Sequence, residues 1–295
     1  MRRPLLQITS AVLMNPYIPG FVTGAIYSGA GKAACAPGLN CYSCPGALMA
    51  CPIGSIQAVL SVPGALQSTA AGKFEVLILF YVLGFVSLIG VFVGRMMCGW
   101  ACPFGFVQDL LHKIPVKKYA IPAGWANMKF AMLLIFVIAL PLFLKPGLLT
   151  PTEQAGDPWF CKIICPAGTL EAGIPLVGYD RAFHAESLYQ TGALFLFKLG
   201  LLGAFIAWMA FVSRPFCRTV CPLGAIWSLF NKISFYQMRV DKGKCIECEK
   251  CYKICPTQVR IYQKPADGNC VRCLECVKVC PVQCINENPN SKIRI

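Results

Sequence analysis

Cys98-Gly99-Trp100-Ala101-Cys102-Pro103-Phe104-Gly105 is the stretch from which the chain can be read, because its second half occurs four times. Cys-Pro-x-Gly stands at Cys51-Pro52-Ile53-Gly54, Cys102-Pro103-Phe104-Gly105, Cys165-Pro166-Ala167-Gly168 and Cys221-Pro222-Leu223-Gly224, at intervals of 51, 63 and 56 residues. Three copies carry another cysteine four residues upstream: Cys98, Cys161 and Cys217. The first copy is looser, with Cys44, Cys41 and Cys35 before it. Self-similarity of this kind marks an internal repeat.

The phrase has a physical meaning. A cysteine thiolate is a metal ligand, and two of them four residues apart can hold neighbouring irons of one cluster. Proline after the second cysteine suits the first turn of a helix, where the missing N–H costs nothing. The helix start then presents free N–H groups and a positive dipole end to an anionic thiolate cluster. Glycine two residues on lets backbone approach closely. Cysteines that merely pack as small apolar side chains would not need the proline and glycine each time.

Apolar residues make up 56% of the 295, only 14% are charged, and mean hydropathy is +0.59, which marks a largely membrane-embedded chain. Nineteen cysteines in such a chain point to metal ligation rather than to a small secreted disulfide scaffold. A net charge of +14 would suggest nucleic acid in a soluble protein. Here the basic residues are distributed by membrane side, and no nucleic-acid partner is expected. Gly31-Lys32 lacks the rest of a phosphate-binding loop, and the absence of Cys-x-x-Cys-His excludes covalent haem.

Apolar runs at Leu5 to about Tyr27, Phe74 to Val93, about Met128 to Leu144 and Thr191 to Val212 approach the ~20 residues that cross a bilayer. The first is expected to be an uncleaved membrane helix rather than a signal peptide. Lys113, Lys117 and Lys118 lie in one connection and Arg214, Arg218 and Lys232 follow the last span, whereas 150–190 carries Glu153, Asp157, Glu171, Asp180 and Glu186. The positive-inside bias then places both termini in the cytoplasm, in a multi-pass protein of the inner membrane. Cys98, Cys102, Cys217 and Cys221 fall on the inner side; Cys35, Cys41, Cys44, Cys51, Cys161 and Cys165 fall on the outer. Two like halves about an axis along the membrane normal would gather four cysteines at each face. For the outer four, Cys51, Cys161 and Cys165 are joined by Cys44, the nearest upstream, with Cys41 as the alternative. A rival quartet of Cys35, Cys41, Cys44 and Cys51 would strand Cys161 and Cys165. Lys198, about two turns inside the fourth span, is expected to snorkel outward.

The polar tail carries Cys245-x2-Cys248-x2-Cys251-x3-Cys255-Pro256 and then Cys270-x2-Cys273-x2-Cys276-x3-Cys280-Pro281. This is the two-cluster bacterial ferredoxin spacing, in which the fourth cysteine of each run serves the other cluster. Cys245, Cys248, Cys251 and Cys280 are assigned to one [4Fe–4S] centre; Cys270, Cys273, Cys276 and Cys255 are assigned to the other. Cys284 is left over and is expected to pack beside a cluster. The expected architecture is an α-helical membrane domain, residues 1–235, of four transmembrane helices in two pseudo-symmetric two-helix repeats. A small α+β ferredoxin-like domain, residues 236–295, follows it.

From about Phe74 to Pro281 the chain resembles the NapH-type membrane iron–sulfur proteins, to which NosR- and CcoG-like proteins are related. The resemblance rests on Cys98-Gly99-Trp100-Ala101-Cys102-Pro103, on Cys217-Arg218-Thr219-Val220-Cys221-Pro222-Leu223-Gly224 and on the eight tail cysteines. It implies electron passage between the quinone pool or cytoplasm and an extracytoplasmic redox partner. The six outer cysteines depart from that pattern. Electron transfer through [4Fe–4S] clusters is the leading expectation, with no catalytic nucleophile or acid–base pair of its own. An outer-face thiol–disulfide reductase and a quinol dehydrogenase subunit are the alternatives. Eleven Lys or Arg against six acids between Arg239 and Ile295 suit either an acidic ferredoxin or flavodoxin or anionic membrane lipid.

Overall fold

The computed structural model describes residues 3–62, 70–144, 157–183 and 192–287, and is mostly helical with one small sheet. Glu153, His184 and Glu186 lie outside these residues. Among the described residues three helices are long and apolar enough to cross a membrane: Val76–Val93, Gly124–Phe143 and Ala193–Phe211. At most 22% of each is buried inside the protein, so Phe80, Leu88, Leu134, Leu196 and Phe197 point outward. Such surface suits hydrocarbon, where helices satisfy their own backbone groups. The chain is a membrane protein.

The first apolar run, expected as a fourth span, forms instead the Arg3–Met14 helix of 12 residues, about 18 Å long against the ~30 Å of a hydrocarbon core. It stops because Pro16 has no N–H to continue it and because Asn15 turns its amide back to Ala11 O and across to Asn40 Oδ1. Hydropathy counts apolar residues and does not see this break. The helix lies along the Cys98 phrase: Arg3 and Gln7 donate to Gly99 O, and Ser10 donates to Ala101 O.

Each second cysteine of the repeated phrase sits immediately before a helix that begins with its proline: Pro52–Leu60, Pro103–Leu111, Pro166–Gly168 and Pro222–Phe230. The four cysteines share one backbone conformation, with φ between −72° and −64° and ψ between 110° and 127°. The local reading of Cys-Pro-x-Gly as a helix start is thus what all four copies adopt.

In the tail, β1 (Met238–Val240) pairs antiparallel with β2 (Ile285–Glu287), setting Met238 opposite Glu287. Between them lie the short helices Lys250–Ile254 and Glu275–Val279. The tail's described non-glycine residues with positive φ fall in three pairs, each 25 residues apart: Glu247 with Arg272, Glu249 with Leu274, and Gln258 with Gln283. The cysteines of the two runs share that offset. Left-handed residues turn successive N–H groups toward one point, a concavity suited to an anionic cluster.

The tail is fastened to the helical part by buried polar contacts. Arg272 donates to Val93 O, Asn231 O and Ser234 Oγ. Asn231 donates to Asp267 O and Cys270 O, and Arg95 to Gly268 O.

Candidate functional site

The eight tail cysteines surround two cavities. Cys245, Cys248, Cys251 and Cys280 line one, together with Cys284. Cys255, Cys270, Cys273 and Cys276 line the other, which Cys251 also borders. The fourth cysteine of each run is therefore brought to the three of the other run. Burial, then the charges of Cys270, Cys273 and Cys255, pushes the Cys276 thiol up; burial pushes Cys270 up to about 12. Four such thiols ionise together only when a metal takes the place of their protons. Cys284, almost wholly buried, sits with its sulfur 3.5 Å from that of Cys280.

Cys98, Cys102, Cys217 and Cys221 converge in the apolar core. Burial, then the charges of Cys217, Cys98 and Cys102, raises the Cys221 thiol. Gly105 N and Gly224 N each stand 3.4 Å from the sulfur of the cysteine three residues earlier, so the helix starts do turn N–H groups onto the thiols. Two arginines that the sequence reading passed over frame the quartet. Arg95 Nη2 donates to Cys217 O at 2.7 Å, and Arg214 Nη1 donates to Cys98 O at 2.8 Å. Both side chains are fully buried. Their signal was present: each stands three residues before the first cysteine of an inner phrase. Asp109 answers the charge of Arg214 at 2.5 to 2.6 Å and also pairs with Arg3. Although burial works to raise it, the Arg214 charge holds the Asp109 carboxyl below its usual range.

At the third site the structure brings Cys41, not Cys44, to Cys51, Cys161 and Cys165. These four line a cavity of about 240 Å³ that Cys44 does not border. Burial, then the charges of Cys165, Cys51 and Cys41, pushes the Cys161 thiol up. Cys41 Sγ lies 3.8 Å from where a Cβ on Gly168 would stand. Cys44 is instead buried in its own turn, where Ala47 N donates to Cys44 O at 3.1 Å. The nearest cysteine in sequence is thus turned away by its own Cys44-Pro45-Gly46 turn. Burial, then the charge of Cys51, raises Cys35 to about 11. Lys198 Nζ reaches Cys161 O at 3.3 Å, beside the cavity. Glu171 accepts from Cys41 N at 2.6 Å, and burial raises it to about 7.

The outer and inner quartets, read from sequence as lying at opposite membrane faces, are neighbours. Leu39 N stands 3.4 Å from Cys102 Sγ, and Gly38 packs so closely that a Cβ there would be 2.9 Å from Cys102 Cα. The 35–51 loop therefore reaches down beside the inner phrase. On the other side, Gly99 would bring a Cβ within 2.5 Å of Val271 O, and Trp100 Nε1 donates to Arg272 O at 3.0 Å. One core runs from Cys51 and Cys165 through Cys102 and Cys221 to Cys273.

Among the described residues no three His, Cys, Asp or Glu side chains close on a single metal ion. The third site's cavity has room for several waters. All-thiolate donor sets around openings of that kind, with backbone N–H groups aimed at the sulfurs, fit iron–sulfur clusters.

Family models agree with that chemistry. A 4Fe-4S binding domain matches residues 74–122, 155–174 and 194–240, and a second 4Fe-4S binding domain matches 237–259. The chain is 31% identical over 182 residues, 61% of its length, to an uncharacterised protein of Methanocaldococcus jannaschii, covering 66% of that protein. It is 23% identical over 210 residues, 69% of its length, to the ferredoxin-type protein NapH of Haemophilus influenzae, covering 58%. It is 26% identical over 192 residues, 61% of its length, to the regulatory protein NosR of Pseudomonas aeruginosa, covering 23%. The chain thus spans less than two thirds of the length of the curated relatives it matches. No solved structure matches it. Fold, thiolate sites and family models together define a membrane protein with 4Fe-4S binding domains. It is similar to proteins of the NapH/NosR type and itself matches 4Fe-4S binding domains.

Proposed function

We propose that this chain passes electrons between a cytoplasmic carrier and an extracytoplasmic partner through four [4Fe–4S] sites in a row. The tail's first site would be held by Cys245, Cys248, Cys251 and Cys280, and its second by Cys255, Cys270, Cys273 and Cys276. Cys98, Cys102, Cys217 and Cys221 would hold the inner membrane site, and Cys41, Cys51, Cys161 and Cys165 the outer one. Bound clusters supply one-electron redox chemistry; the protein supplies ligands, spacing and a dry path.

The observation that carries this reading is contact without interruption at both junctions. Gly99 and Trp100 press the Cys98 phrase onto Val271 and Arg272, next to Cys270 and Cys273. At the other junction Leu39 N touches Cys102 Sγ two residues before Cys41. Buried Arg95, Arg214 and Lys129 supply positive charge beside the inner quartet, as a buried anionic cluster requires.

Helix lengths support the following membrane placement. Arg3–Met14, about 18 Å long, and Pro52–Leu60, about 14 Å long, would together make one crossing, broken by the 15–51 loop. Non-helical backbone at membrane depth is tolerated where protein covers it, and Leu39, Asn40 and Cys51 are buried. Both termini then face the cytoplasm, with residues 1–235 as the membrane domain, 236–295 as the ferredoxin-like domain, and two halves related about the membrane normal. The basic tail would meet an acidic ferredoxin or flavodoxin.

The test uses proteoliposomes with ferricyanide trapped inside and dithionite outside, neither of which crosses lipid. Cluster-loaded protein should reduce the trapped ferricyanide, and Cys98→Ser should abolish this. No reduction above protein-free vesicles would overturn the proposal.

A further inference from the structure

Each Cys-Pro-x-Gly phrase has a further position, six residues beyond its proline-preceding cysteine. The four occupants are Gln57, Gln108, Glu171 and Trp227. In both quartets this position reaches across to the other half of the chain. Gln108 Nε2 stands 2.8 Å from Cys217 Sγ, and Gln57 Nε2 stands 3.2 Å from Cys161 Sγ. Both glutamines are fully buried.

The two amides are held alike. Each Nε2 also donates to the carbonyl four residues earlier, Phe104 O or Ile53 O. Each Oε1 accepts a backbone N–H at the start of the opposite phrase, from Cys217 for Gln108 and from Phe160 for Gln57. That acceptor contact decides which end of the amide is which, so it is an N–H that faces the sulfur. The remaining copies differ: Glu171 accepts from Cys41 N, and Trp227 donates to Val86 O. Each quartet thus receives one side-chain amide on a sulfur, always on the first cysteine of the second-half phrase.

We infer that Gln108 and Gln57 are positioning residues that set the reduction potentials of the inner and outer membrane clusters; this rests on the proposal that those quartets hold clusters. Adding an electron makes a cluster with its four thiolates more negative. An N–H donated to a ligand sulfur stabilises that form, and hydrogen bonds to the sulfurs are among the determinants of potential. In a dry core the bond is stronger than it would be in water.

The test is EPR-monitored redox titration of the anaerobically purified full chain, with iron counted on the same samples. Gln108→Leu and Gln108→Met both remove the donor, and the second keeps the length. Both variants should keep wild-type iron while one membrane-site signal moves to a more negative midpoint and the tail signals stay fixed. Gln57→Leu and Gln57→Met should move the other membrane-site signal. Full iron with an unmoved midpoint would overturn the inference. So would loss of about four irons in both variants of one glutamine, which would make that residue a brace for the fold. If only one of the two loses iron, the retained variant's midpoint decides. Wild-type protein with iron for the tail sites alone would instead overturn the cluster reading itself, and the inference with it.

Discussion

Arg95 and Arg214 each stand three residues before the first cysteine of an inner phrase, and each donates to the carbonyl of the other phrase's first cysteine: Arg95 to Cys217 and Arg214 to Cys98. The exchange ties the two halves of the chain together at the inner quartet and leaves two guanidinium charges facing four thiolates. Arg214→Met should therefore empty the inner site, lowering iron by about four per chain while the tail's EPR signals persist. Arg214→Lys should not restore it, because one ammonium nitrogen does not span Asp109 and Cys98 O as the separate nitrogens of the planar fork do. Iron analysis with EPR on both variants checks this.

Asp109 balances Arg214 and Arg3. Asp109→Asn leaves the buried guanidinium of Arg214 without its carboxylate and should destabilise the protein by about 3–5 kcal/mol, read as a lowered thermal midpoint in detergent. The folded carboxyl titrates below its unfolded value, so its contribution is complete above the unfolded pKa and is lost as pH falls through the folded one. Acidification should thus narrow the gap between wild type and Asp109→Asn. A constant gap down to acid unfolding would count against the ion pair.

Cys41 and Cys44 make the sharpest comparison at the outer site. Cys41 lines the cavity with Cys51, Cys161 and Cys165, and Cys44 does not. Cys41→Ser should lower iron by about four per chain, and Cys44→Ser should leave it unchanged. The reverse pattern would return the site to the ligand set that sequence spacing suggested.

The difference between those two cysteines shows what the sequence could carry. The phrases, their proline-led helices and the eight-cysteine tail were all legible, because each depends on local spacing. Cys44 was preferred over Cys41 because it is nearer to Cys51, but the chain turns at Pro45-Gly46 and the distance along it no longer measures distance in space. The first apolar run was read as a span because hydropathy registers composition, and the Asn15-Pro16 break costs no hydropathy. The contact of Lys198 with Cys161 O was not legible, because the two belong to different segments. Gln57 and Gln108 were readable in principle: alignment of the four phrases beyond the glycine places them together.

Gly99 is where the tail presses on the inner phrase. Gly99→Ala would set a Cβ against Val271 O at 2.5 Å, an overpacking that costs about 1–3 kcal/mol and moves the tail away. Iron should remain at the wild-type level, while stopped-flow transfer from the reduced tail to the membrane sites slows. Unchanged transfer would mean that electrons reach the membrane quartets by another route.

Iron and acid-labile sulfide per chain, measured on anaerobically purified wild-type protein, test the four-site reading most directly. Two cubane clusters in the tail and two in the membrane quartets require about sixteen of each. About eight, with Cys98, Cys102, Cys217 and Cys221 and the Cys41 quartet open to thiol-alkylating reagents, would contradict it.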